Sequence, residues 1–365
     1  MAKSLKIILL SLLALVVVCA VAFCCVYWSR FQTLSSVEKL TDYDDGYNVY
    51  RMNVDYDYDL DAVVARGITD DQSALDAVIK EALPLLPVSV KVPSFGCTAF
   101  TLKDTDGDVH MGRNYDFSLN TSAMVVYCAP KNGYKSVALA ALDNLGANDP
   151  QSGLKAKMAS LAAPFVCLDG MNEKGVSIAV LTLDSKPVRQ DNGKPDISTT
   201  MGIRLVLDRA ATTQEAVDLL DSYDMKALDG RDYHLYITDA SGDGRIIEYD
   251  CEDESRPMVA TKTDIITNFF YIYKDKVLPN QKNGIYGHGR ERYDAVEQVF
   301  AAETQPTVQT VWTALQAAAQ EPNPNDITSN TQWSLNYNNT DLTLEMVLRR
   351  HWDDALVYDL NTNQF

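Results

Sequence analysis

Residues 94–116 read SFGCTAFTLKDTDGDVHMGRNYD. Two strand-like runs flank Asp106-Gly107, a dipeptide that is typical of a two-residue hairpin loop. If Asp106 and Gly107 form that loop, Cys97 lies opposite Asp116 and the returning strand also brings Arg113 close. We therefore predict a β-hairpin that places a thiol between a guanidinium group and a carboxylate.

A cysteine on a strand has two interpretations. It is commonly a small hydrophobic residue of the core. A thiol beside a positive charge, in contrast, is held in the reactive thiolate form and can act as a nucleophile. From Cys97, Arg113 and Asp116 alone, both interpretations stay open.

Four separated blocks carry a resemblance to a known family. Gly96-Cys97-Thr98 followed by residues 112–116 resembles the nucleophile segment of the choloylglycine hydrolase family of linear amide C–N hydrolases, which is similar to the acyl-coenzyme A:isopenicillin N acyltransferases. Residues 168–176, LDGMNEKGV, resemble the second signature of that family, a tight turn between central strands. Residues 266–268 and 290–293 resemble two later catalytic segments. The resemblance extends over about residues 97–360.

The resemblance implies a mechanism as well as a site. The chain would cut itself between Gly96 and Cys97, and the new α-amino group of Cys97 would act as base for its own thiol, because the α-amino pKa lies near 8. The resemblance assigns the supporting roles to four residues: Arg113 favours the thiolate, Asp116 orients the α-ammonium group, Asn268 donates to the oxyanion, and Arg292 holds the network. Without the family context, Asn268 is equally a turn cap and Arg292 a surface ion-pair partner.

One position departs from the family pattern. Bile-salt hydrolases have an Asn as oxyanion donor shortly after the second signature, and this chain has Thr182 there. Thr182 is therefore the oxyanion candidate, with a shorter side chain. The change argues against bile salts as substrates and leaves amide hydrolysis open.

The resemblance implies an α+β fold, the four-layer αββα sandwich of N-terminal-nucleophile hydrolases. The pattern of elements fits two sheets covered by helices. Predicted strands after the hairpin are 124–129, 136–142, 165–168, 176–183, 233–238, 244–249, 265–267, 332–337, 342–348 and 355–359, and predicted helices are 202–209, 213–220, 291–302 and 308–319.

The chain is expected to have three parts: a membrane anchor or signal segment at 1–30, a proregion at 31–96, and the hydrolase domain at 97–365. Residues 7–28 are almost wholly apolar and follow Lys3 and Lys6, which favours an uncleaved single-pass anchor with the catalytic domain extracytoplasmic. A cleaved signal peptide and a secreted enzyme is the alternative. In the proregion, Asp alternates with Tyr and Val between 42 and 61, which indicates a solvated edge strand, and Thr69 with Gln72 indicates the start of a helix.

Composition excludes other classes. The chain has 365 residues and a net charge of −18, so it repels nucleic acid. The cysteines form no CxxC pair or Cys/His cluster, and neither a metal nor a cofactor is expected. A disulfide among Cys128, Cys167 and Cys251 stays open, as does the oligomeric state, a homo-oligomer included.

We therefore expect an enzyme that hydrolyses a linear, non-peptide amide bond of a small N-acyl substrate through a thioester on Cys97. An acyltransferase that uses the same cysteine with an amine acceptor is the first alternative, and a catalytically silent anchored binding protein the second. A papain-like protease would need a histidine partner, and none of the four histidines has a supporting signature: His110, His234, His288 and His351.

Overall fold

The computed structural model describes residues 2–83, 96–228, 230–282, 284–323, 325–326 and 329–365. The α-helices among them are α1 Ala2–Ser35, α2 Leu60–Ala65, α3 Asp71–Ala82, α4 Leu154–Ala159, α5 Thr199–Arg209, α6 Thr213–Asp221, α7 Arg290–Ala302 and α8 Val308–Ala318. The strands are β1 Glu38–Lys39, β2 Val49–Val54, β3 Gly96–Lys103, β4 Val109–Asp116, β5 Ala123–Cys128, β6 Ser136–Ala141, β7 Asp169–Asn172, β8 Ser177–Leu183, β9 Asp196–Ser198, β10 Asp224–Lys226, β11 Asp232–Thr238, β12 Arg245–Tyr249, β13 Met258–Lys262, β14 Ile265–Ile266, β15 Thr331–Asn338, β16 Thr343–Leu348 and β17 Leu356–Asp359.

Two sheets form the centre of the molecule. The large sheet has the order β1-β2-β5-β6-β7-β8-β11-β12-β13, and the small sheet has the order β14-β3-β4-β15-β16-β17. Helix α5 packs on β7 and β8, with α6 beside it, and α8 packs on β4 beside α7. Strand β3 faces β8 across the interior. The α+β architecture with two sheets between helices is confirmed.

The strands of the interior are buried on both faces. Every residue of β8 is buried, as is every residue of β4 and β15. A strand covered on one side by a second sheet and on the other by a helix has no solvated face, which explains why no side chain of these three strands is exposed. Residues 165–168, predicted as a strand, form none. Phe165 ends a 3₁₀-helix, Ser160–Phe165, residues 166–168 form a connection, and the strand begins at Asp169.

The predicted hairpin register is wrong by one residue. Cys97 lies opposite Tyr115, and Asp116 lies opposite Gly96. The loop is longer than Asp106-Gly107, because Lys103 and Val109 form the last pair and leave five residues between them. The Asp104 carboxylate accepts from the backbone nitrogens of Asp106 and Asp108, at 3.0 and 2.8 Å, and stabilises this wider turn.

The predicted membrane-spanning segment is not supported. Helix α1 includes residues 7–28 and continues to Ser35. Within the part of the chain that the structure describes, no helix has both the length and the apolar character needed to cross a membrane. The thiols of Cys128, Cys167 and Cys251 are free, so the disulfide that the sequence left open is not formed.

The segment predicted as a proregion is part of the large sheet. Its strand β2 spans Val49–Val54 and pairs with β5, whereas the acidic residues that follow form no strand. Tyr56 and Tyr58, predicted to lie on a solvated strand, are buried. Helix α3 begins one residue later than predicted, because Asp70 is its N-cap and forms a capping box with Ser73. Residues 84–95 lie outside the described residues.

Candidate active site

The thiol of Cys97 lies between the two sheets. Paired residues of antiparallel strands share a face, so Cys97, Tyr115 and Arg113 point the same way. These side chains point into the interior between the two sheets, because Arg113 Nη2 donates to the carbonyl oxygen of Val180 on β8 at 2.8 Å. The neighbouring Asn114 points outward, and its amide donates to the carbonyl oxygen of Leu315 on α8 at 2.8 Å. The predicted approach of Arg113 to the thiol is present.

A buried carboxylate that the sequence analysis missed holds Arg113 in place. Asp169 Oδ2 accepts from Arg113 Nε at 3.4 Å, and both side chains are fully buried. Tyr337 donates to Asp169 Oδ1 at 2.7 Å and Trp333 donates to Oδ2 at 3.3 Å. Burial raises the pKa of the Asp169 carboxyl, and the positive charge of Arg113 acts against that rise. Sequence analysis could have identified Asp169 from its position in the motif LDGMNEKGV, residues 168–176.

The backbone of Cys97 is held from two directions. Its nitrogen donates to Asn268 Oδ1 at 2.7 Å. Its carbonyl oxygen accepts from Arg292 Nη1 at 2.5 Å, and Arg292 Nη2 donates to the same Asn268 oxygen at 2.8 Å. Asn268 is fully buried and Arg292 is 5% exposed. The two predicted late residues therefore meet at the predicted nucleophile.

Gly289 gives Arg292 the room to reach that position. It precedes helix α7 and has a φ of +85°, a conformation that favours glycine. A Cβ atom at Gly289 would lie 2.3 Å from Nη2 of Arg292. Any other residue would displace the guanidinium group. The carbonyl oxygen of Gly289 also accepts from Thr267 at 2.8 Å, which ties the helix start to the segment that carries Asn268.

Asp116 lies on the opposite face of the hairpin from the thiol, which corrects the prediction that it flanks the sulfur. It pairs with Gly96, the residue before the predicted cut. Thr331 donates to its Oδ1 at 2.6 Å and Gln320 donates to its Oδ2 at 2.8 Å. Arg292 Nη1 is 3.5 Å from the same Oδ2. Asp116 thus lies beside Gly96 and Arg292. Its partners Gln320 and Thr331 were not predicted.

Thr182 has a hydroxyl that is available to a ligand. The residue is fully buried on β8, and its Oγ1 atom forms no hydrogen bond with any residue in the described ranges. Buried polar atoms are nearly always paired, so an unpaired buried hydroxyl is a candidate donor to a ligand. Asn268, the predicted oxyanion donor, already uses its amide nitrogen to donate to the carbonyl oxygen of Thr182 at 2.8 Å. Which of Thr182 and Asn268 donates to the oxyanion stays a prediction.

The thiol of the uncut chain is not activated. Burial raises the pKa of Cys97 to about 11, although the guanidinium of Arg113 hydrogen-bonds the sulfur and acts in the opposite direction. Arg113 thus acts on the thiol pKa in the direction that the resemblance implies, but in the uncut chain the effect of burial is larger. A protonated, fully buried thiol is a poor nucleophile toward an external substrate.

The four histidines bond to groups other than the thiol. His110 contacts Asp104 and Asn336, His234 contacts Glu248, and His288 contacts Asp184 at 2.7 Å. His351 stacks on Tyr43 with ring centroids 4.6 Å apart. The structure gives Cys97 no histidine partner among the described residues, in contrast to a papain-like site.

A cavity of about 260 Å³ lies beside the site. Its lining includes Gln320, which bonds to Asp116, and Glu291, which precedes Arg292. His288 also lines it, and its backbone nitrogen donates to the carbonyl oxygen of Asn268 at 2.8 Å. Among the residues that the structure describes, the ten that line it are all polar or charged: Asp184, Arg231, Asn280, Gln281, Lys282, His288, Glu291, Gln320, Asn325 and Asp326.

Comparisons with known proteins agree with the fold. No curated protein matches the sequence. Among solved structures, the fold is similar to penicillin V acylase from Agrobacterium tumefaciens, with 18% identity, a TM-score of 0.53, and coverage of 73% of this chain and 86% of that one. It is also similar to two variants of the conjugated bile acid hydrolase from Clostridium perfringens, with 15% identity, a TM-score of 0.55, and coverage of 73% and 93%. Residues 97–268 match the model of a sequence family. The matched segment begins at the buried Cys97 and ends at Asn268, whose side-chain oxygen accepts from the Cys97 nitrogen. Over these residues the chain is similar to the linear amide C–N hydrolases, choloylglycine hydrolase family.

Proposed function

We propose that the protein hydrolyses a linear amide of a small N-acyl substrate, with Cys97 as nucleophile and its own α-amino group as general base. One observation carries the proposal: the backbone nitrogen and carbonyl oxygen of Cys97 are held by Asn268 and Arg292 while its side chain points inward to Arg113. A core cysteine needs none of these contacts. A nucleophile whose own nitrogen serves as base needs all of them.

The base must first be freed. The Cys97 sulfur attacks the carbonyl carbon of Gly96, the C–N bond breaks as a C–S bond forms, and water hydrolyses the resulting thioester. The products are a carboxylate at Gly96 and an α-amino group at Cys97. Gly96 has no side chain to obstruct the attack. Arg292 and Asn268 keep the new N-terminus in position, and Asp116, opposite Gly96, provides a negative charge near the new ammonium group.

Hydrolysis then repeats the same chemistry on substrate. The α-amino group accepts the thiol proton, and the sulfur attacks the amide carbonyl. The hydroxyl of Thr182 donates to the developing oxyanion. The amine leaves with the proton from the α-ammonium group, and water, activated by the α-amino group, hydrolyses the thioester. Arg113 stabilises the thiolate from the inner face, and Asp169 holds the Arg113 guanidinium in position.

The polar cavity beside the site supports a hydrophilic group on the substrate. An apolar acyl group there would leave charged and amide side chains without hydrogen-bond partners, which costs binding free energy. Thr182 also supports a substrate other than a conjugated bile acid, because bile-salt hydrolases have an Asn at this position. We therefore propose a compact N-acyl amide with a polar or charged group on one side of the scissile bond.

A substrate panel tests the proposal. Purified protein is incubated with N-acyl amino acids, penicillin V and conjugated bile acids, and released amines and acids are identified by mass spectrometry. Cys97→Ala is the matched control. Cys97-dependent release of an acid supports a hydrolase, while formation of a new amide only when an amine acceptor is added identifies an acyltransferase. Release of equal product by Cys97→Ala would contradict the proposal.

A further inference from the structure

The proregion completes the large sheet of the catalytic domain. Strand β2 pairs in parallel with β5 over six residues, from Val49 opposite Ala123 to Val54 opposite Cys128. The pairing is fixed at its start, where the nitrogen of Asn48 donates to Ser122 Oγ at 2.9 Å. Without β2, strand β5 would be an edge of the sheet with a row of unpaired backbone groups.

A tyrosine of the proregion covers a buried ion pair of the catalytic chain. Arg204 and Asp208 lie 2.7 Å apart with side chains 0% and 6% exposed. Tyr58 donates to Asp208 Oδ1 at 3.0 Å, and its ring contacts Phe165 edge-on at 5.5 Å between centroids. Removing Tyr58 would leave the carboxylate with one partner fewer and open the ion pair to water.

The proregion also contacts the C-terminal part of the catalytic chain. The Arg349 guanidinium lies over the rings of Tyr43 and Tyr47, at 5.4 and 5.8 Å, and donates to the carboxylate of Asp45 at 2.8 Å. Tyr43 in turn donates to Asp354 at 2.8 Å. These contacts lie far in sequence from the β2–β5 pairing and from Tyr58, so three separate regions of the catalytic chain bind the proregion.

The proposed cut removes none of these contacts. Gly96 and Cys97 lie at the start of β3 in the small sheet, whereas β2 lies in the large sheet. We infer that residues 31–83 are a permanent subunit of the mature enzyme and stay bound to the chain that begins at Cys97. The part of the inference that makes the mature enzyme a complex of two chains rests on the proposed cut. Its interface, the β5 edge with Asp208 and Arg349, exists with or without that cut.

Native mass spectrometry and size-exclusion chromatography of the purified full-length protein test the inference. The expected result is one species that contains both polypeptides, which separate only in denaturant. A folded, active chain beginning at Cys97 and purified free of the proregion would overturn it. If the protein stays uncut, the proposed self-cleavage fails, and a second arm still tests association. In that arm a site-specific protease sequence replaces residues 87–93 of the full Cys97→Ala chain, and the fragments are examined after digestion.

Two variants and a control test the interface itself. Met52→Asp places a carboxylate at a fully buried position of β2 and should cause the fragments to dissociate after the cut. Tyr58→Phe removes one hydrogen bond to Asp208 and should weaken association about tenfold, a change that leaves the fold intact. Asp57→Asn is the control, because its ion pair with Lys131 is exposed and should contribute little. Unchanged association in both Met52→Asp and Tyr58→Phe would show that the interface does not hold the subunits together.

Discussion

The side-chain oxygen of Asn268 lies 2.7 Å from the backbone nitrogen of Cys97. In the uncut chain that nitrogen is an amide of the Gly96–Cys97 bond, and in the proposed mature enzyme it is the α-amino base. One contact therefore orients the scissile bond first and the base afterwards. Arg292 and the carbonyl oxygen of Thr182 hold Asn268 itself, so its amide has little freedom to rotate.

Asn268→Ala should lower both self-cleavage and kcat. Loss of the contact lets the Cys97 nitrogen move, and a displacement of the order of 1 Å costs about 10²-fold in rate. Single-turnover kinetics and intact mass measure the two effects. Asn361→Ala, at an exposed turn, is the control and should behave like the wild type. Wild-type rates in Asn268→Ala would remove Asn268 from the site.

Cys97→Ala should abolish amide hydrolysis and leave the chain at full length. The nucleophile is gone in both reactions, and such losses typically amount to several powers of ten in kcat. Thermal unfolding monitored by circular dichroism checks that the variant is folded. A chain that is still cut before residue 97 would show that another group performs the cleavage.

Thr182→Val should lower kcat by about 10²- to 10³-fold, because the variant keeps the shape of the side chain and removes the oxyanion donor. KM should change little. Thr238→Val is a matched control, since Thr238 is also a fully buried strand residue whose hydroxyl has no partner among the described residues. Equal effects of the two substitutions would indicate a structural role for Thr182.

Asp169→Ala should destabilise the fold by about 3–5 kcal/mol, because Arg113 would remain as a buried charge without its partner. Tyr337→Phe removes one hydrogen bond to the same carboxylate and should cost about 0.5–1.5 kcal/mol. Urea unfolding measures both. A smaller cost for Asp169→Ala than for Tyr337→Phe would mean that the ion pair does not hold Arg113.

Alkylation of Cys97 should distinguish uncut from cut chains. Burial raises the thiol pKa from its ordinary 9.0 to about 11 in the uncut chain, so the thiol is protonated at neutral pH and its thiolate fraction increases about tenfold per pH unit up to that value. The stability that the neutral thiol contributes is present below about pH 9 and is lost as the pH rises toward 11. Iodoacetamide labelling of a freshly folded sample, followed by intact mass, reports both species together. Equal labelling at pH 7 would contradict a latent precursor.

The site residues were predictable because they lie in short motifs whose order is characteristic of the family. The face of the hairpin on which each of these side chains lies was not predictable. Asp116 was assigned to the wrong side because the loop length depends on how Asp104 bonds to backbone nitrogens, which an Asp-Gly pair does not reveal. Asp169 was missed because its partner Arg113 comes from the other sheet, and only packing of the two sheets brings them together.

The proregion shows the same limit over a longer distance. Alternating Asp and Tyr residues predicted a solvated strand, and the aspartates are indeed mostly exposed. The alternate tyrosines instead bury their rings against residues more than a hundred positions away, as Tyr56 does when it donates to the carbonyl oxygen of Leu161. Period-2 alternation identifies two faces and cannot say what covers either one.

The parallel pairing of β2 with β5 has a consequence for the lifetime of the enzyme. In the uncut chain the connecting residues keep the two strands at a high effective concentration, so refolding is unimolecular. After the proposed cut the strands belong to separate molecules, and refolding of an unfolded enzyme requires a bimolecular encounter that becomes slow on dilution. The working lifetime is then set by the rate of unfolding rather than by an equilibrium. The cut that creates the base would also make folding a single, irreversible event.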